Sequence, residues 1–517
     1  MRSAQALRWN GSRWSPAMFG LGTLKNPAPL IVVALGAIAI PLVLLATNGN
    51  VLLVLALVLG ILIGVVTIYR VDWGYSLFIG VVLMNDMERV AGFWPLSYTF
   101  RYFNNLNVNP YLTISGGLVS PMEVHLIFVF FLYAALVALG RENFSWKRVP
   151  ALGSMGILIL VIFLMIAYGL AKGGDTTWAA WQTRAFLTMF IIIILTPQII
   201  RTREQVESLL WVAIATIAFK AFQGIERFAE LGVSFGGYAT LTNHEDPVFF
   251  VTLIMLLASF FVWRVRHAQR TALLWLLMPL GMGFFVGNRR ASYASTVFTI
   301  FAFIALLTKE ERKPFLRMFK WATFGVIVYL VVFWNSTGTL GNIAQQVKEQ
   351  VTGETVAGRG SRDMMSDLYR KWEDYNLAMT WRRLPMGTGF GIKYDTPLKW
   401  YDFLELTPIM AYTPHNQMIW MVTTLGSEGF FFFLLFFNIY LFESTFRLKR
   451  MKDPYLKSVG AMIIVSVINQ LVVTYFDMQI TWPRNMVYLG ALMGLFSTVY
   501  LLDQGSSDAD HSSRETT

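Results

Sequence analysis

The chain is 517 residues long; 55% are Ala, Val, Ile, Leu, Met, Phe, Trp, Tyr or Cys and only 14% are charged, against roughly 25% in a soluble domain. With a mean hydropathy of +0.52 this excludes an ordinary soluble enzyme, and the lack of cysteine excludes disulfides, thiolate metal ligands and Cys nucleophiles. The net charge of +11 is scattered through short connectors rather than gathered in one patch, which reads as membrane topology and not as nucleic-acid binding.

Apolar runs close to the ~20 residues that cross a hydrocarbon core predict an all-α, polytopic membrane protein with about 14 transmembrane helices. In chain order the spans fall at 28–47, 51–69, 72–86, 120–139, 151–171, 184–200, 206–226, 247–263, 272–287, 292–308, 320–336, 417–443, 457–476 and 485–502. The shortest, 72–86, is the soft point of the count. Residues 1–27 form a basic segment before a retained first anchor. Residues 28–336 form a bundle of about 11 helices, 337–416 a long connector, 417–502 three further helices and 503–517 a Ser/Asp-rich tail expected to be disordered. Arg141, Lys147, Arg148, Arg201, Arg203, Arg264, Arg266, Arg270 and the connectors 309–320 and 447–457 fall on one side. By the positive-inside bias that side is cytoplasmic, with both termini.

The opposite, outer side carries the polar segments 87–119, 227–246 and 337–418. The last is far longer than a structureless connector normally is. Ser361 to Arg383 reads as an amphipathic helix with Ser361 as N-cap and Leu368, Trp372 and Met379 on one face. Leu384-Pro385 ends it, and Gly387, Gly389 and Gly391 make a sharp, flexible turn. Arg362 and Arg370 in this segment, with His415 and Asn416 ahead of the next apolar run, supply what a diphosphate clamp and a proton acceptor need. Snorkelling arginines and a capping histidine explain the same residues without chemistry. Arg289 and Arg290 are adjacent cations at the outer head of a span, where charge usually marks function; structural anchoring is the alternative. His244, Glu245 and Asp246 read as an N-cap cluster before Pro247, because three consecutive side chains splay apart and rarely share a ligand. Trp94, Tyr98, Trp178, Trp181 and Trp400 are outer aromatics suited to sugar contact.

The run from Arg370 to the turn Pro385-Met-Gly387-Thr-Gly389 resembles the signature of the O-antigen ligase and polymerase superfamily, an Arg about fifteen residues before Pro-x-Gly-x-Gly. Pro414-His415-Asn416 followed by Gly426 and Gly429 is similar to that family's His-Asn motif and glycine-bearing helix, and Asn288-Arg289-Arg290-Ala291-Ser292 looks like its Ser-Arg element, Arg290 being the better match. Two departures stand out: Asn-Arg replaces Ser-Arg, and Asp374 occupies the place of a Trp four residues after the loop arginine, so that Arg362 and Arg370 both remain counterparts of that arginine. The resemblance implies a metal-independent glycosyltransferase of the bacterial inner membrane, needing no cofactor. Its substrates would be an undecaprenyl-diphosphate-linked oligosaccharide and a glycan or lipid acceptor, met at the periplasmic face. It implies His415 and Arg290 as catalytic, Arg289, Arg362 and Arg370 as diphosphate ligands, and Asn416, Gly387 and Gly389 as supports, with membrane lipids, a flippase and a chain-length regulator as partners. A repeat-unit polymerase is the leading expectation and a ligase to lipid A-core the alternative; secondary transport and a non-catalytic export scaffold are the readings from other classes.

Overall fold

A backbone surrounded by hydrocarbon must satisfy its own N–H and C=O groups, which leaves the helix as the element these apolar runs can adopt. The computed structural model describes residues 51–90, 92–93, 95–109, 118–235, 238–336, 338–352, 361–398 and 408–515, and among them every regular element is helical. The segment 1–27, the first expected span at 28–47, Trp94 and Trp400 lie outside the described residues. The chain divides into one unit, Met1–Val65, and a second, Val66–Thr517. The first is described only over the start of α1 (Val51–Tyr69).

The second unit continues with α2 (Val71–Met84), α3 (Pro121–Ala138), α4 (Leu152–Ala171), α5 (Thr176–Ile199), α6 (Arg203–Glu230), α7 (Asp246–Val262), α8 (Ala268–Gly287), α9 (Arg290–Leu306) and α10 (Lys309–Phe333). After α11 (Asn342–Thr352) and α12 (Ser361–Arg383) come α13 (Gln417–Arg450), α14 (Pro454–Phe476) and α15 (Pro483–Glu515). Nine of the helices among the described residues are long and apolar enough to cross a membrane, and α2, α7 and α9 are shorter apolar helices. The protein is thus a helical, multi-pass membrane protein in its composition and architecture. Caps move several ends outward from the hydropathy limits. Asp175 accepts from Trp178 N and starts α5 early, and the Thr308/Glu311 capping box makes the basic connector 309–320 the first turns of α10. The last helix, α15, runs through the tail expected to be disordered, since extending a formed helix needs no new nucleus.

Helices α5, α7, α14 and α15 form the centre: α5 packs along α15, and α14 against α7, α9 and α15. The short α2 lies along α6. Its Asp72 accepts from Gln205 in the first turn of α6, and Asp86, two residues past its end, pairs with Lys220 about four turns further along α6. The segment 72–86 therefore follows α6 over most of that helix's length.

The turn after α12 is a wedge between helices rather than a flexible tip. Within α13, Gly426 has φ 73° and ψ 177°, a break at which Thr423 O takes Thr388 N (2.9 Å), Thr424 O takes Gly389 N (3.0 Å) and Ser427 N donates to Pro385 O (3.0 Å). On the other side Phe390 N donates to Met165 O of α4 (3.1 Å), and Gly391 N to Gln182 of α5 (2.7 Å). Gly389 has φ +83°, and a Cβ there would sit 2.5 Å from the Gly169 backbone. Gly389→Ala should therefore destabilise the folded protein by at least ~1–3 kcal/mol, while Gly140→Ala, also at positive φ but in open space, should cost less. Thermal unfolding of the two detergent-solubilised variants compares them; equal midpoints would deny the close packing.

Candidate functional site

The start of α13 is shaped by Asn416, whose Oδ1 accepts from Ile419 N (3.2 Å) as the N-cap while its side chain also hydrogen-bonds the Asp374 carboxylate. His415 is thereby held against α12. Its backbone N donates to Glu373 Oε2 (2.8 Å) and its Nδ1 lies 3.1 Å from the same oxygen. With Nδ1 carrying the proton toward Glu373, Nε2 presents a lone pair, the tautomer a general base requires. The Tyr369 ring stands edge-on to the imidazole at 6.0 Å. The neighbouring Asp374 is pushed up to about 6 by burial and by the adjacent Glu373 charge, against the hydrogen bond from Asn416 and the positive field of Arg370.

Helix α12 thus turns a polar face inward: Tyr369, Glu373, Asn376, Leu377 and Thr380 are buried and Leu368 is exposed, the reverse of the apolar face expected at Leu368, Trp372 and Met379. Asn376 pairs with the Leu398 backbone and Thr380 with Asp395 N, which meets their hydrogen bonds on burial, while Glu373 Oε1 is buried without a hydrogen-bond partner among the described residues.

A second imidazole–carboxylate pair lies nearby. His244 Nδ1 is 3.0 Å from Asp477 Oδ2, and Trp482 lies parallel to the ring at 6.3 Å. Burial would raise the Asp477 carboxyl, but His244, then Arg289 and Arg370, hold it well below the usual carboxylate range. Arg289, between the left-handed Asn288 (φ 44°) that ends α8 and the first turn of α9, is lowered from its ordinary value mainly by burial, with Asp477 opposing and Arg370 adding to the effect. The Nε atoms of Arg289 and Arg370 are both buried without a hydrogen-bond partner among the described residues.

Behind this pair is a buried charge network. Arg484, at the start of α15, pairs with Asp246 (2.8 Å) and Glu245 (3.9 Å); Lys220 pairs with Asp86 and lies 3.9 Å from Asp246; Arg227 lies 3.8 Å from Asp86. Glu245 is pushed up to about 7 by burial, with Arg484 opposing. The cap reading of His244–Asp246 is therefore corrected in part: Glu245 makes no side-chain cap bond and pairs with Arg484, while Asp246 both accepts from Asn243 N (3.0 Å) and pairs with Arg484.

Of the site residues read from sequence, His415, Asn416, Arg370 and Arg289 share one end of the bundle through the Asp374 and Asp477 fields. Arg290 is the first residue of α9. Arg362 lies on α12, with its side chain outside those described. Gly387 and Gly389 belong to the wedge, supporting the site through the backbone rather than touching it. The residues missed are Glu373 and Asp477; His244 was read from sequence only as part of a cap cluster. Asp86 and Arg484 carry no signal of their own in the sequence; Lys220, a lysine inside the apolar run 206–226, is the feature that could have pointed to buried partners. Among the described residues no three His, Cys, Asp or Glu side chains gather as metal ligands. No protein-family model matches the chain, and no curated protein matches it significantly.

Because the Asp374 carboxyl titrates near 6 in the fold and near 3.8 ordinarily, the folded state holds the extra proton between those values. Its stabilising contribution is complete below the lower value and lost as pH rises through the upper. Asp374→Asn should therefore shrink the fall in thermal midpoint between about pH 5 and pH 7.5. An identical fall in variant and wild type would show that Asp374 does not titrate in this window.

Proposed function

We propose that this chain is a repeat-unit polymerase of the O-antigen ligase and polymerase kind, transferring a glycan from an undecaprenyl diphosphate to a sugar hydroxyl of an acceptor. On this reading it sits in the bacterial inner membrane with about 14 crossings, both termini cytoplasmic and the 337–416 loop periplasmic. The observation that carries the proposal is His415 on Glu373, 3.1 Å away, with Arg370 acting on the adjoining Asp374 and Arg289 acting in turn with Arg370 on Asp477. Diphosphate is already a good leaving group, so the protein has two tasks: to hold its charge on planar guanidinium forks and to remove one hydroxyl proton. Glu373 fixes the ring and stabilises the imidazolium formed when Nε2 takes that proton, the part a carboxylate plays behind any histidine base.

Secondary transport draws on the broken helix at Gly426 and the buried Lys220–Asp86 pair. The carbonyls freed at that break are occupied by Thr388 N and Gly389 N, which supports a docking role for the break over an ion site.

Purified protein incubated with a synthetic lipid-linked repeat unit, without nucleotide or added metal, should give a ladder of longer lipid-linked glycans. Transfer only to a lipid A-core acceptor would make it a ligase, and no transfer to either would remove glycosyl transfer. His415→Ala should insert normally and lose at least about 10²-fold in rate. Arg290→Ala should weaken use of the diphosphate donor and Arg290→Lys should not fully restore it, since an ammonium lacks the fork; complete rescue by Lys would point to charge balance alone.

A further inference from the structure

Two histidines, from different segments, lie in neighbourhoods that share Arg370. His415 is held on Glu373 of α12, and His244 on Asp477 at the end of α14. Arg370 acts electrostatically on the carboxylates of both neighbourhoods, Asp374 and Asp477, and Arg289 acts on Asp477. The His244 side chain is 30% exposed, whereas Asp477 is 4% exposed and has its second oxygen taken by Met478 N (2.9 Å). Asp477 thus has one hydrogen-bonding task toward a neighbouring side chain, holding the His244 Nδ1–H, which turns Nε2 away from it. The buried charges surrounding the pair are Arg289 from α9, Arg370 from α12, Glu245 and Asp246 on its own segment and, bound to those two, Arg484 from α15.

We propose that His244 is the second proton-transfer group of this site, acting as the acid toward the departing lipid diphosphate while His415 acts as the base toward the acceptor. The inference rests on the glycosyl-transfer reading. In the step, the bond between the anomeric carbon and the phosphate oxygen breaks and its electron pair stays on that oxygen. The acceptor oxygen bonds to the anomeric carbon, and its proton passes to His415 Nε2. The phosphate oxygen takes the His244 Nε2 proton. Water then returns a proton from His415 to His244, so the cycle closes with no net change. The Asp477 carboxylate, 3.0 Å from Nδ1, fixes the orientation of the ring, and Trp482 lies parallel to it.

The test uses the full-length protein in detergent with the synthetic lipid-linked repeat unit, comparing wild type, His244→Gln, Asp477→Asn and His415→Ala for kcat across pH. Wild type should lose activity at high pH as the acid deprotonates. His244→Gln should keep KM within a few fold, lose about 10²-fold or more in kcat and lack that alkaline limb. Asp477→Asn, which keeps a hydrogen-bonding side chain but no charge, should move the limb to lower pH. Thermal midpoints identify a variant that has unfolded; should His244→Gln do so, the limb shift of Asp477→Asn decides the question. Wild-type kcat and pH profile in His244→Gln, or an unmoved limb in folded Asp477→Asn, overturns the acid role while a dead His415→Ala leaves glycosyl transfer standing. Full activity in His415→Ala sinks the underlying reading instead.

Discussion

Charge in an apolar bundle has to be paired, and that constraint organises one end of this molecule. Arg484 is completely buried, with Asp246 at 2.8 Å and Glu245 at 3.9 Å, and Lys220 is buried on Asp86. Removing one partner of such a group leaves an uncompensated charge, typically at ~3–5 kcal/mol, so the three carboxylates and three cations hold each other in place. They come from the end of α2, the last turns of α6, the start of α7 and the start of α15. Pairing them fixes where those four helix ends meet, and with them the segment that carries His244. Closer to the two histidines the carboxylates Glu373 and Asp477 are buried while the imidazoles of His415 and His244 are partly exposed.

The helices were legible because hydropathy is a local property: all the candidate spans from 51–69 onward coincide with helices. Their ends were less legible, since a cap such as Thr308 with Glu311 can turn a charged stretch into the first turns of a span. For the site, sequence alone pointed to Arg289 and Arg290 as charges at the head of a span, and to Arg362, Arg370 and His415 as guanidinium groups and an imidazole in the long polar segment before the next apolar run. It could not point to their partners. Glu373 meets His415 across 42 residues and Asp477 meets His244 across 233, and no spacing within either segment encodes such a meeting. Local reasoning favoured a cap for His244–Asp246 because a cap is the commonest use of those residue types at a helix start; at Glu245 depth decided otherwise.

The glycines show the same limit from the other direction. A Gly-x-Gly-x-Gly turn reads as flexibility, yet here it is where backbone meets backbone: Gly387 against Gly426, and Gly389 against Gly169. Each pair leaves no room for a Cβ, and the carbonyls opened by the break at Gly426 are closed by the wedge itself. The consequence reaches the site. The wedge follows α12 within a few residues, and α13 begins at Asn416, so docking 385–391 into the break holds the helix bearing Glu373 and Arg370 against the helix headed by His415. A turn free to move would leave the 3.1 Å His415–Glu373 pair to chance.

The positions of the two arginines then bear on how an anion enters. Asp477 lowers the electrostatic cost of keeping Arg289 and Arg370 near one another, but its oxygens are hydrogen-bonded to His244 and to Met478 N. The carboxylate therefore supplies field without occupying the guanidinium donors, and the Nε atoms of both arginines have no hydrogen-bond partner among the described residues. On the proposed reading, an arriving diphosphate would have no salt bridge between Asp477 and either arginine to break. On the proposed glycosyl-transfer reading, proton transfer from His244 would follow bond cleavage rather than precede it, since a leaving diphosphate needs its charge met only as it departs.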